Sequence, residues 1–154
     1  MLQGRFEHNL DDKGRVAVPA AFRKALAVSS DAATPATVPV YITISDQCLA
    51  AYPEPEWQAK IEKINQLNQL DPKVMAFKRI FVGCAQECQV DKAGRILVPA
   101  DLRRDAGIGK EAVLIGQIDK FEIWSRERWD ASFAAMSDQF GSISQTLADQ
   151  GIQL

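Results

Sequence analysis

The chain has 154 residues, 47% apolar and 25% charged, with a formal net charge of -2. That is enough for one ordinary domain or two very small ones sharing a core, and no stretch reaches the roughly 18 consecutive apolar residues of a membrane span. Three cysteines are an odd set for a disulfide framework, and Cys84 and Cys88 with the single His8 supply too few ligands for a structural zinc site, so buried inert thiols are expected, with no metal and no cofactor.

The opening residues MLQGRFEHNL carry Arg5 and Glu7 where an export signal needs an apolar run, so a cytoplasmic protein is expected. "DDKG" from Asp11 reads as a turn, because aspartate folds onto its own backbone and glycine supplies a positive φ. In "RVAVP", Val16 and Val18 alternate as in a half-buried strand that Pro19 ends. Phe22 and Leu26 then share a helix face, with Pro19 suited to the first turn. The Ala-, Ser-, Thr- and Pro-rich stretch between Ser29 and Pro39 reads as a surface loop. "VYITISD" and "CLAAY" read as two strands joined at Asp46.

Trp57, Ile61, Ile64 and Leu67 follow at helical spacing, with Trp57 the expected core anchor. Asp71-Pro72 breaks that helix, and Val74, Phe77 and Phe81 mark a second one hairpinning back. From "AQECQV" the first pattern returns. "DKAGRILVPADLRRDAG" repeats the earlier phrase with a register of 80 residues: Asp11, Gly14, Arg15, Val18, Pro19, Ala20 and Arg23 match Asp91, Gly94, Arg95, Val98, Pro99, Ala100 and Arg103. Leu102 and Ala106 share a helix face that Gly107 terminates. "AVLIGQID" and "FEIW" repeat the strand pair, joined at Asp119, now at an offset of 72, so the first copy's loop carries about eight extra residues. Trp129, Phe133 and Met136 begin a closing helix anchored by Trp129, and the polar, Gly-interrupted remainder is expected to fray.

Each copy is thus strand, turn, strand, helix, strand, strand. The expected division is a first module over 5–56, a helical connector over 57–84, a second module over 85–128, and a C-terminal helix with a disordered tail over 129–154. A module of about 45 residues buries too little surface to be stable alone, so the two are expected to interleave into one pseudo-twofold β-barrel of an α+β protein. By that symmetry the two Gly-Arg turns lie side by side. Lys13 and Arg15 would join Lys92 and Arg95 in one basic patch, with Arg5 at its rim, suited to phosphates or to guanine edges in a major groove. Two readings of Arg15 and Arg95 stand together: contact with an anion, or bracing of the turn by pairing with Asp11 and Asp91. Arg23, Lys24, Arg103 and Arg104 read as a solvated helix face.

"DDKGRVAVPAAFR" and "DKAGRILVPADLR" resemble the doubled SpoVT-AbrB DNA-binding motif, and with "CLAAYPEPEW", "GCAQECQVD" and "GQIDKFEIW" the chain resembles the MraZ family from about Met1 to Trp129. The resemblance implies two swapped hairpins, double-stranded DNA as partner, an operator of short direct repeats upstream of a division and cell-wall gene cluster, repression, nucleoid association and a ring-shaped homo-oligomer. It maps the DNA-contacting turn onto Lys13 and Arg15, and its counterpart onto Lys92 and Arg95. The lysines sit one place apart in the two copies, which puts equal contributions in question. Two rivals remain: an interaction oligomer binding an acidic partner, and a small barrel enzyme holding a phosphorylated substrate, against which stands the lack of a nucleophile and base arrangement.

Overall fold

The computed structural model describes residues 1–29 and 38–154; the loop expected between Ser29 and Pro39 lies for the most part outside the described residues. The elements run β1 (Arg5–Asn9), β2 (Arg15–Ala17), α1 (Ala20–Ser29), β3 (Val38–Ser45), β4 (Cys48–Pro53), α2 (Glu54–Asn65), α3 (Pro72–Phe81), β5 (Gln86–Val90), β6 (Arg95–Leu97), α4 (Ala100–Asp105), β7 (Glu111–Gly116), β8 (Phe121–Ser125), α5 (Arg126–Asp138) and α6 (Phe140–Asp149). Both copies therefore follow the order read from the sequence.

The strands form one antiparallel sheet in the order β1-β7-β8-β4-β3-β5-β6-β2. Exchanging the two copies returns this order once β2 adjoins β1, and the Asp11–Arg15 turn joins those two strands. The sheet is thus a nearly closed barrel, and closure removes the unpaired edges that a small open sheet would expose. Interleaving is complete. Strand β1 pairs with β7 of the other copy and β5 pairs with β3, in matching register: Glu7 faces Val113, and Glu87 faces Tyr41. Neither copy owns a complete sheet, because its first strand lies against the other copy's third.

Period-two alternation places Val16, Val18, Ile96 and Val98 inside, all at most 2% exposed. Phe22 and Leu26 from α1 and Leu102 and Ala106 from α4 plug the barrel as their spacing requires. Phe22 meets Phe6 edge-on and Phe121 at a tilt, both with ring centroids 5.2 Å apart, so one side chain links β1, α1 and β8. Gly107, at φ +67°, terminates α4 one residue after its C-cap Ala106. Pro99 stands at the N-cap of α4, one place outside the helix.

A second apolar cluster lies on the barrel's outer face. Helices α2 and α3 fold back over β3 and β4, and Trp57 stacks on Tyr41 and Phe81 with centroid distances of 5.4 Å. Asp71 caps α3 by accepting from the Lys73 amide, so the Asp-Pro break starts the returning helix. Leu67 falls beyond the end of α2 and is exposed.

Three expectations are corrected. Trp129 is half-buried, not a core anchor like Trp57; it meets Trp124 edge-on and tilts against Phe133 on the surface of α5. The residue matching Asp46 (φ +54°) at the β7–β8 turn is Ile118, at φ +71°, and not Asp119. A β-branched residue is strained there, and it is held by two backbone hydrogen bonds to Leu2, of 3.0 and 2.7 Å. The tail expected to be disordered forms α6, packed on α5, with Phe140, Ile143 and Leu147 on one stripe.

Candidate nucleic-acid interface

Strands β2 and β6 pair antiparallel, with Arg15 opposite Leu97 and Ala17 opposite Arg95. Since Val16 and Ile96 point inward, the alternation turns Arg15, Ala17, Arg95 and Leu97 outward on a two-stranded ribbon. A turn closes each end. Val18 donates its amide to the Gly94 carbonyl (2.8 Å), and Val98 donates to that of Gly14 (3.0 Å), so each turn is bonded to the other copy's strand. Lys13 and Lys92 lie exposed on the two turns. The structure therefore brings Lys13, Arg15, Lys92 and Arg95 onto one ribbon and its two ends.

Inside the first turn the Asp11 carboxylate accepts from the amides of Lys13 (3.0 Å) and Arg15 (2.9 Å) and from Arg15 Nε (2.7 Å). In the second, Asp91 accepts from the amides of Ala93 and Arg95, both at 2.9 Å. The guanidiniums differ. Arg15 is hydrogen-bonded to its own aspartate, whereas Arg95 Nε stands 3.7 Å from Asp91 and its Nη1 3.6 Å from Asp11, and the buried Arg95 Nε has no hydrogen-bond partner among the described residues. Bracing and availability thus coexist in one constellation: Arg15 is the tighter brace, and Arg95 the more loosely held cation. Their side chains remain 32% and 38% exposed, enough for the outer guanidinium faces to meet a ligand. The first turn also carries Asp12 where the second has Lys92, so the second is the more basic.

Hydrogen bonding from the Arg15 amide, aided by the Arg15 side chain and the Lys13 amide, holds the Asp11 carboxyl at about 2, below its ordinary 3.8. Asp91 shifts in the same direction, chiefly through the Arg95 amide. A depressed carboxylate pKa contributes stability that is present above the unfolded value and is lost as pH falls through the folded one. Urea denaturation across this range is therefore expected to show wild type losing stability between pH 3.8 and about 2. Asp11→Asn should lose less over the same interval, and equal pH profiles would remove Asp11 from this role.

Arg5 is not part of this patch. It begins β1, four residues and about 13 Å of strand from the end that leads to the turn, and its guanidinium lies over the Phe133 ring of α5 at 5.3 Å. Next to it Glu7 pairs with Arg126 at 3.0 Å, so this outer face of β1 is tied to α5. The cysteines are not on the ribbon strands. Burial raises the Cys48 thiol pKa and pushes that of Cys88 to about 11, so neither is a thiolate at neutral pH. Among the described residues no group of three His, Cys, Asp or Glu side chains is placed to hold a metal ion, and no helix is long and apolar enough to cross a membrane.

Two residues read as solvated helix face also reach the turns, Arg23 while remaining exposed and Arg103 half-buried. Arg103 Nε donates to the Val98 carbonyl (3.0 Å) and its guanidinium covers Gly14; Arg23 Nε donates to the Val18 carbonyl (3.1 Å) and its guanidinium covers Gly94. The visible signal was their place at matched offsets after each Val-Pro, but the glycine each one covers lies in the other copy.

Two consecutive segments, residues 1–80 and 81–150, each match the family described as "MraZ protein, putative antitoxin-like". A protein of Acidithiobacillus ferrooxidans named transcriptional regulator MraZ is 43% identical over 131 residues, covering 85% of this chain and 87% of its own. Proteins of the same name from Natranaerobius thermophilus and Yersinia pestis are 40% identical over 97% of this chain and 98% of their own, and 36% identical over the full length of both. With both repeats matched and such relatives spanning nearly all of it, the chain belongs to the MraZ family.

Proposed function

We propose that this protein is a sequence-specific DNA-binding transcriptional regulator, a repressor that acts on short direct repeats upstream of its own division and cell-wall gene cluster, at the nucleoid, as a ring-shaped homo-oligomer. The observation that carries the DNA reading is the β2–β6 ribbon, with Arg15 and Arg95 on its outer face and Lys13 and Lys92 at its ends. A two-stranded ribbon fits the major groove of B-DNA, where arginine bonds guanine O6 and N7, an apolar side chain such as Leu97 meets a thymine methyl, and lysines hold flanking phosphates. The relatives' shared name as transcriptional regulators supports the same reading.

Direct repeats and the ring rest on the family resemblance. Oligomerisation also agrees with apolar side chains left uncovered in a single chain: Phe77 and Ile80 on α3, and Phe133, Met136, Phe140 and Ile143 on α5 and α6. One ribbon is a small footprint. Linked ribbons engaging repeats about one helical turn, roughly 34 Å, apart would multiply their affinities through effective concentration. A net-acidic protein would then hold DNA by one basic face of each subunit.

Fluorescence anisotropy with DNA from upstream of its own gene, against a scrambled duplex, tests this. Affinity is expected to fall steeply with salt, and the joint variant Lys13→Ala/Lys92→Ala should lower the logarithmic slope by roughly two for each ribbon engaged. Equal binding to both duplexes would remove sequence specificity. Salt-insensitive binding would remove the phosphate contacts.

A further inference from the structure

We infer that Arg103 and Arg23 are positioning residues that act crosswise: each shapes the recognition turn of the opposite repeat, so that neither turn attains its DNA-binding form without the other half of the chain. This rests on the DNA reading above for its consequence, and on the geometry of the two turns for its substance.

The arrangement at Gly14 has three parts. Val98, at the end of β6, donates its amide to the Gly14 carbonyl, and its own carbonyl accepts from Arg103 Nε. The Arg103 guanidinium, so anchored, lies flat against the Gly14 α-carbon: a Cβ there would stand 2.5 Å from Cζ, 2.7 Å from Nε and 2.8 Å from Nη2. The pseudo-twofold repeats this at Gly94. Val18 donates to the Gly94 carbonyl and accepts from Arg23 Nε, and a Cβ on Gly94 would stand 2.7 Å from Nη1 and 2.9 Å from Cζ of Arg23. The φ of +86° and +75° selects glycine at each position, and the absent Cβ leaves the space that the planar cation fills.

Arginine suits this place for reasons lysine does not share. Only the guanidinium combines a flat face with an Nε–H that is fixed relative to that face; an ammonium carries charge without either constraint. Lys13 and Arg15 flank Gly14, while Ala93 and Arg95 flank Gly94, with Lys92 one place further on. Tilting the glycine peptide therefore re-aims the proposed DNA-contacting side chains. The control of each turn resides far away in the chain, 89 residues for Gly14 and Arg103 and 71 for Gly94 and Arg23, in the helix that follows the other repeat's second strand.

The test compares Arg103→Ala, Arg23→Ala and Arg103→Lys in the full chain by two readouts. The first needs no DNA: amide hydrogen exchange in Arg103→Ala is expected to rise roughly tenfold over residues 11–15 with residues 91–95 unchanged, and Arg23→Ala should give the converse. Arg103→Lys should behave like Arg103→Ala. The second is the salt dependence of DNA binding: affinity in Arg103→Ala should drop roughly tenfold at each salt concentration with the logarithmic slope unchanged, because a positioning residue releases no counterion of its own. Exchange that rises in the variant's own repeat or in neither, full recovery by lysine, or a slope lowered by about one per ribbon would each overturn the crosswise role. Should wild type fail to bind DNA, the functional reading falls, and the exchange pattern still decides the inference.

Discussion

Arg95→Ala is expected to lower affinity for operator DNA by about 1–3 kcal/mol, roughly five- to 150-fold, the cost of one well-made arginine–guanine contact. Its effect on folding should be small, because the ion pairs it breaks, at 3.6 and 3.7 Å, are long and partly exposed, and such pairs contribute at most about 1 kcal/mol. Arg15→Ala should match that loss of affinity and add a loss of stability, since its Nε is hydrogen-bonded to Asp11 at 2.7 Å. The pair of variants thus separates contact from brace. Titrating a labelled operator duplex with each, beside urea midpoints, gives both quantities. Normal operator binding by Arg95→Ala and Arg15→Ala alike would remove the ribbon from DNA recognition.

The largest effect on the fold is expected at Phe22, which is fully buried and touches Phe6 and Phe121. Truncating a buried phenylalanine removes its transfer free energy and leaves a cavity, together about 3–5 kcal/mol. Against a total of about 5–15 kcal/mol for a typical domain, Phe22→Ala removes a large share. Phe6 and Phe22 belong to the first repeat and Phe121 to the second, so the two repeats should still melt as one cooperative unit, at a lower urea concentration. Val28→Ala on the same helix, where the side chain is exposed, should change stability by no more than about 0.5 kcal/mol. A Phe22→Ala protein that lost less than about 1 kcal/mol, or that melted in two separate steps, would contradict a shared core.

Arginine 5 and the C-terminal helix show where local reading stops. Arg5 looked eligible for the patch because it is basic and precedes the turn in sequence, yet a strand carries it away from the turn and α5 supplies Phe133 beneath it. Gly141 and the polar composition of the last residues argued for fraying, but residues 140–149 form α6 against α5, with Phe140 and Ile143 still exposed on its stripe. Ile118 is a third case. Nothing in its side chain favours φ +71°; the N-terminal Leu2 holds it there by hydrogen bonds that no window of sequence contains.

The sequence by itself determined the order of elements in both copies, the inward set Val16, Val18, Ile96 and Val98, the stop at Gly107, and the turns built on Asp11 and Asp91. Each follows from short-range chemistry: alternation, proline and glycine dihedrals, and an aspartate folding onto its own backbone. Repetition at a register of 80 residues added that the two halves must share a core, because neither buries enough surface alone. Only the tertiary structure decided which strand pairs with which, that Asp11 lies within reach of both Arg15 and Arg95, and that Arg103 and Arg23 each cover the other repeat's glycine. The reason is physical. A side chain's propensity is set by its neighbours in the chain, but the glycine an arginine covers is set by how two twisted, interleaved hairpins close into a barrel.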